Sequence, residues 1–325
     1  MTTLSSPSPS PSYNRSLNFY TLELSKSHPE LLVAALENAL VTVHKVTGAI
    51  EILAGEPEEY GYVEGVGRAA RFRSILGISQ LEYKYILSDN GNQCLRSVDY
   101  ISNEAQTFAG LCGQQGDADG SLVSARFYRP SGMTRDPGNP DVIYLIDSPK
   151  LRKIDLAIET VRTLPGSIHV LGTGITMDPA GGLLVTSSHG VKQYNFNGSA
   201  QWLTNSGGGL GCNQCNISSA KFIFPEGLRF ITPEVLLVAD GWNGLRLIDL
   251  TSEIVTTIGP WRGQDGPYQD ITLSCPHSIA VDNSYIYIGE CADRGGGVRK
   301  LAYTGTISFL HRFNKMQCYL PKMLQ

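Results

Sequence analysis

Apolar and polar positions along this chain repeat one unit six times: an apolar run, a polar or Gly-rich turn, then a second run with a basic residue near its start. The copies read PELLVAALENALVTVHKV (Pro29 to Val46), YILSDNGNQCLRSVDY (Tyr85 to Tyr100), VIYLIDSPKLRKIDL (Val142 to Leu156), GLLVTSSHGVKQYNF (Gly182 to Phe196), EVLLVADGWNGLRLIDL (Glu234 to Leu250) and IYIGECADRGGGVRKLAY (Ile286 to Tyr303). Aligning Ala35, Asp89, Asp147, Ser187, Asp240 and Glu290 at the turn gives spacings of 54, 58, 40, 53 and 50 residues, the range of propeller blades. Each unit is a small sheet with two apolar faces that it cannot bury alone. Neighbours must therefore stack around an axis until the ring closes.

A second signal recurs between the hairpins, in EYGYVEGVGRAARFRSILGI (Glu59 to Ile78), DADGSLVSARFYRPSGM (Asp117 to Met133), NQCNISSAKFIFPEGL (Asn213 to Leu228) and, more loosely, GQDGPYQDITLSCPHSIAVD (Gly263 to Asp282). Each follows a Gly-containing step, so the unit is a four-stranded blade, lettered a to d from the axis outward. Strand b ends at the Asp turn, and strand c carries the Arg. Antiparallel alternation puts the d-to-a loops and b-to-c turns on one face of the disc and the remaining turns on the other. The expectation is an all-β chain: a six-bladed β-propeller over residues 16–313, a disordered Ser/Pro-rich extension at 1–15, and a tail at 314–325.

Composition agrees with short strands and tight turns, with 35 glycines, 42% apolar and only 17% charged residues among 325. A net charge of −4 argues against nucleic acid as partner, because such affinity rests on clustered Lys and Arg. Arg68, Arg71, Arg73, Arg126 and Arg129 are the set that would have to cluster in the open for RNA. No apolar run reaches the length of a membrane span, Glu37 interrupting LLVAAL.

Repetition marks most polar positions as structural. Asp89, Asp147 and Asp240 leave strand b where a carboxylate can accept backbone N–H groups of the turn. Arg96, Arg152, Arg246 and Arg299 read as strand c residues whose stems cover the blade surface. Phe72, Phe127 and Phe222, each after a basic residue, should pack between sheets. The unrepeated register is the residue inside Pro-x-Gly, where Leu76, Ser131, Thr173, Glu226 and His277 converge on the channel mouth. Glu226 and His277 are the candidates for a polar ligand site, with Ser131 and Thr173 as hydrogen-bonding neighbours. One visible Glu and one His are too few for a catalytic metal, so no metal and no cofactor are expected.

Seven cysteines suggest disulfides and an oxidising compartment, although residues 1–15 lack the basic start and apolar core of a secretory signal. Cys94 and Cys112 fall on one face and should pair, as should Cys275 and Cys291 in the last blade. Cys212 and Cys215 form a Cys-x-x-Cys: a local disulfide, a redox pair or half of a zinc site. Cys318 is left odd. Asn14, Asn197 and Asn216 head Asn-x-Ser sequons, the last two in predicted surface loops, making Asn197 and Asn216 candidate glycosylation sites. Trp242, in GWNG, is the tryptophan expected to be exposed.

The order Gly-rich loop, Asp-Gly or Glu-Gly, Ala-Arg-Phe, Pro-x-Gly, an apolar run ending in Asp, then Leu-Arg-x-Val/Ile-Asp resembles the NHL-repeat family of six-bladed propellers. The resemblance covers about residues 29 to 310, is sharpest at 107–156, and through its cysteines is similar to extracellular animal members. The copy at Gly182 departs from it, with Ile168-His169 for Arg-Phe, Ser187 for the Asp and Lys192 for the Arg. The family implies an extracellular, non-catalytic interaction module presenting loop faces to a protein or glycan partner. The alternative is a channel-site, divalent-metal-dependent hydrolase or lyase. CPHSIAVD (Cys275 to Asp282) is similar to a blade of amidating lyases, but no other blade matches its His.

Overall fold

The computed structural model describes residues 17–167, 169–259, 273, 275–291 and 297–303, together with the backbone of Met316–Tyr319. Its strands form six antiparallel sheets. From the axis outward, blade one is Thr21–Leu24, Leu31–Ala35, Ala39–His44 and Ile50–Gly55, and blade two is Ile75–Gln80, Lys84–Asp89, Cys94–Asp99 and Glu104–Ala109. Blade three is Pro130–Arg135, Val142–Asp147, Lys150–Asp155 and Thr160–Thr163, and blade four is Ile175–Met177, Leu183–Ser187, Gly190–Tyr194 and Ala200–Trp202. Blade five is Pro225–Thr232, Val235–Asp240, Gly244–Asp249 and Ile254–Ile258, and blade six is Pro276–Val281, Tyr285–Glu290, Val298–Ala302 and Met316–Tyr319. Ala35, Asp89, Asp147, Ser187, Asp240 and Glu290 each end strand b.

Two features differ from the pattern read along the chain. Blades two, three and five carry a short fifth strand on the outside, Gly65–Val66, Gly120–Ser121 and Gln214–Asn216, because the d-to-a segment pairs with strand d before it turns inward. Met316–Tyr319 is the outermost strand of blade six, so the sheet extends into the stretch expected to be a tail. Blade four keeps its register despite its divergent residues, Ser187 pairing with Gly190 at the turn. The expected extension at residues 1–15 lies outside the described residues.

Alternation along each buried strand sends side chains to both faces, and the core accordingly divides into six clusters, one between each pair of neighbouring sheets. Leu87 packs toward blade one while Ile86 packs toward blade three. Phe72, Phe127 and Phe222 are fully buried in three of these clusters. The sixth cluster joins Ala280, Tyr287 and Val298 of the last blade to Phe19, Leu22 and Val41 of the first. The ring therefore closes without exchanging a strand between its ends. The seam is reinforced by Ser278 Oγ donating to Phe19 O at 3.1 Å and by the Lys45–Asp282 ion pair at 3.2 Å.

Around the axis the inner strands approach one another so closely that side chains are excluded at one position in each of blades two to five. A Cβ on Gly77 would lie 2.2 Å from Ser131 O, on Gly132 1.9 Å from Thr173 O, and on Gly227 2.8 Å from His277 O. A Cβ on Gly174 would likewise overlap Glu226 O. Each glycine thus meets the carbonyl of the channel-mouth residue of the following blade. Gly132→Ala should destabilise the protein by about 3 kcal/mol or more, or prevent folding, since a backbone carbonyl cannot swing aside. Gly138→Ala, whose methyl meets only the Asp136 side chain at 3.4 Å, should stay within about 0.5 kcal/mol of the parent. Urea unfolding of the two variants measures the difference.

Candidate functional site at the channel mouth and loop face

The loops of the upper face are fastened by one buried device used three times. Asp89 Oδ1 accepts the Arg73 amide at 2.8 Å, Asp147 Oδ1 the Tyr128 amide at 2.7 Å, and Asp240 Oδ1 the Ile223 amide at 2.8 Å. These are the residues directly after Phe72, Phe127 and Phe222. On the other side of each Phe, the Arg96, Arg152 and Arg246 guanidinium groups donate to the carbonyls of Arg71, Arg126 and Lys221 at 3.2, 3.0 and 3.3 Å. The same guanidinium groups stand 5.1, 5.5 and 5.0 Å from the Phe ring centres and pair with the Asp carboxylates at 3.4, 2.8 and 3.9 Å.

The arginines were expected to cover the blade surface. Instead all three are fully buried, because the loop in front of strand a folds over them. Glu290 and Arg299 make the corresponding pair in blade six at 2.6 Å. In blade four, Lys192 lies over the exposed Trp202 ring at 4.7 Å instead.

Burial pushes the carboxyl of Asp89 up to about 6 and that of Asp240 up to about 7, against the pull of Asn92 or Asn243, the loop amide and the Arg. Burial also lowers the Arg246 guanidinium to about 10, opposed by Asp240.

The channel-mouth residues are re-aimed by β-bulges. Pairing with strand b slips at Ile75/Gly77, Pro130/Met133, Pro225/Leu228 and Pro276/Ser278, which turns Leu76, Ser131, Glu226 and His277 out of the ladder. Leu76, Thr173 and His277 line one cavity. Glu226 Oε2 and His277 Nδ1 are in direct contact, so the expected pair does assemble. Ser131 does not join it, since it is buried and its hydroxyl donates to Ile146 O at 3.4 Å within its own blade.

Tyr20, just ahead of the first inner strand, completes the mouth with its ring 5.7 Å from that of His277 and nearly edge-on. Its phenol is raised by burial first and then by Glu37, while the Asn18 amide that reaches it opposes the shift. Sequence reasoning missed Tyr20 because blade one lacks the Pro-x-Gly step that marks this position elsewhere. The cavity measures about 50 Å³, far below the roughly 300 Å³ at which organic-ligand pockets begin. Ions and single waters are what it can hold.

Cys94 and Cys112 are joined, as are Cys212 and Cys215. Cys275 and Cys291 are not joined to each other, contrary to expectation. The Cys275 sulfur lies 3.7 Å from His277 Nε2, and both sulfurs and the imidazole lie within 4.8 Å of one another. This thiol–imidazole group is where further ligands meet His277. Among the described residues, no cluster of three or more carboxylate or imidazole groups is found there; the group that converges on His277 consists of the two thiols.

Of the arginines weighed for RNA, Arg68 pairs with Glu56 and Arg71 with Glu59, while Arg126 donates to Ser124 O and Ala125 O. Asn197 and Asn216 are exposed, each accepting from the hydroxyl of its sequon serine. Asn14, Trp261 and the Cys318 side chain lie outside the described residues.

Exposed large apolar side chains crowd the face onto which the channel mouth opens. Tyr60, Tyr62, Tyr128, Leu210 and Phe224 stand on d-to-a loops and Trp242 on a b-to-c turn, all of them exposed. The opposite turns expose fewer, Val46, Tyr83, Ile101, Ile158 and Phe196, of which Phe196 is stacked on Tyr144 at 5.1 Å and Tyr83 donates to Glu82.

No family model matches the chain, and no curated protein matches its sequence. Solved structures do match. An auxiliary nutrient binding protein of Bacteroides thetaiotaomicron superposes with a TM-score of 0.65 at 12% identity, covering 87% of this chain and 69% of its own. One from Bacteroides ovatus gives 0.65 at 15% identity over 88% and 69%. A chain of a nidogen/laminin complex gives 0.55 at 14% identity over 88% and 92%. At these identities the likeness is one of fold. The chain is a six-bladed β-propeller.

Because folding favours the protonated Asp240 carboxyl, this group contributes stability at low pH and loses it between about pH 4, its unfolded value, and about pH 7. The melting temperature of the parent relative to Asp240→Asn should therefore fall across that window. The fall should be about 2–4 °C for each kcal/mol. Melting scans of the pair at a series of pH values measure it, and a relative melting temperature that rises with pH contradicts the sign.

Proposed function

We propose that this chain is a non-catalytic interaction propeller of NHL type, working outside the cytosol and holding a protein partner on the face that carries the d-to-a loops. The observation that carries the reading is the concentration of exposed aromatic and aliphatic side chains there, over loops that the buried Asp–Arg pairs hold rigid. Rigid aromatic anchors bind with little loss of side-chain freedom and dominate protein interfaces. Leu111, Leu171 and Leu210, also exposed on these loops, favour a protein over a glycan, because aliphatic side chains offer sugar hydroxyls nothing to bond.

Two bonded cysteine pairs fit an oxidising compartment, where Asn197 and Asn216 would be glycan acceptors. The similar propellers described as nutrient binding proteins, and the one in a nidogen/laminin complex, support binding as the general role. The mouth cavity of about 50 Å³ is too small for an organic ligand, which supports recognition through the loops at this end of the channel.

The test is surface plasmon resonance of the immobilised protein against a panel of secreted and matrix proteins and a glycan set. A protein ligand should be found whose affinity drops at least about 100-fold in Tyr60→Ser/Phe224→Ser and is unchanged in Tyr83→Ser on the far face. Equal loss in both variants, or binding confined to glycans, overturns the proposal.

A further inference from the structure

We propose that Cys275, His277 and Cys291 bind a zinc ion at the channel mouth, with Glu226 as the positioning residue for the imidazole. Among the described residues, this is the group of three or more His, Cys, Asp or Glu side chains whose ligand atoms converge, all within 4.8 Å. A tetrahedral zinc with Zn–S near 2.3 Å and Zn–N near 2.0–2.1 Å places sulfur and nitrogen about 3.6 Å apart. Cys275 Sγ and His277 Nε2 stand at 3.7 Å.

The contact of Nδ1 with the Glu226 carboxylate fixes the tautomer in which Nδ1 carries the proton and the Nε2 lone pair faces the sulfurs. Such a carboxylate–histidine pair is the usual outer support of a zinc ligand. Two thiolates balance the charge of Zn²⁺, and thiolate with imidazole selects zinc over the hard, oxygen-seeking cations.

The backbone makes the arrangement independent of the side chains it presents. The Cys291 amide donates to Cys275 O at 3.1 Å, holding the strand b exit against the strand a start. The bulge between Pro276 and Ser278 turns His277 toward them. Three protein ligands leave a fourth tetrahedral position for water or a small anion. The inference does not depend on the partner-binding reading, since it concerns only the metal and its ligands.

The full native chain, with Cys212 and Cys215 held in their disulfide, is purified and its metal content measured alongside non-reducing mass spectrometry. One zinc per chain is expected, with Cys275 and Cys291 as thiolates. Replacement by Co²⁺ should give thiolate-to-metal charge-transfer bands and the strong visible bands of a tetrahedral site, both lost in Cys275→Ser and His277→Ala.

Glu226→Gln should keep the stoichiometry and the cobalt spectrum while weakening affinity about 10- to 100-fold. Glu226→Ala should be weaker still, with the melting temperature of the metal-free protein unchanged in both. A Cys275–Cys291 disulfide in the native protein, a reduced protein that takes up no metal, or a cobalt spectrum that survives Cys275→Ser overturns the proposal. Because the first two readouts are made on the native residues, misfolding of a variant cannot rescue it.

Discussion

The close approach of six inner strands around one axis is the constraint to which the rest of the structure answers. At Gly77, Gly132, Gly174 and Gly227 the neighbouring backbone occupies the space a side chain would need. In blade six the same position holds Ser278, whose hydroxyl bonds to Phe19 O. That contact lets the last blade accept a residue larger than glycine where the first and last turns of the chain must meet. With the inner radius set this way, the outer strands splay apart. The space between them is filled by Phe72, Phe127 and Phe222, the largest apolar side chains the interfaces can take at zero exposure.

Splaying creates a second problem, since the loop returning from the rim to the axis must cross the top of this packing and carries backbone polar groups with it. The Asp–Arg pairs solve it. A carboxylate takes the amide on one side of the Phe and a guanidinium takes the carbonyl on the other, so the loop's polar groups are satisfied under cover. Buried ion pairs of this kind add little net stability over an apolar substitute, yet removing one partner costs about 3–5 kcal/mol because the other charge is stranded. Their contribution is geometric: the loop has one place to lie. Blade four, with Ser187 and Lys192, relies on hydroxyls instead: Thr186 accepts the Gly174 amide at 2.9 Å, Ser148 donates to Val170 O at 2.7 Å and Ser167 accepts the Leu151 amide at 3.1 Å. The blade that lost the ion pair also has the shortest spacing from the preceding turn, 40 residues, leaving less loop to fasten.

How much of this was legible along the chain follows from what repeats. Six hairpins, the strand b ends and the blade order could be read because an apolar run with a terminal Asp imposes the same geometry wherever it occurs. The fifth strands could not, since Gly65–Val66 and Gly120–Ser121 are two residues long and pair only because the folded blade presents an open edge. The arginines were read as surface because charge usually seeks water. Only the loop folding back over them, a long-range event, makes the buried position affordable. Tyr20 was invisible for the opposite reason: its blade begins without the Pro-x-Gly step, so nothing local distinguishes it from an ordinary aromatic. The Cys275–His277–Cys291 group was read pairwise as a disulfide because spacing relates two residues at a time, and the approach of a third depends on the bulge at His277.

Repetition and function separate on the same axis. Whatever every blade must do to close the ring is written many times, in the glycines, the Phe residues and the Asp–Arg pairs. Residues exempt from that duty are free to differ, and the bulge at the start of the inner strand makes one such position in blades two, three, five and six. Leu76, Ser131, Glu226 and His277 share that bulged geometry and differ in chemistry. A ring of identical sheets thereby acquires an asymmetric centre: apolar at Leu76, and carboxylate and imidazole at Glu226 and His277. The cysteines of blade six reinforce that asymmetry, because their sulfurs lie beside the His277 imidazole.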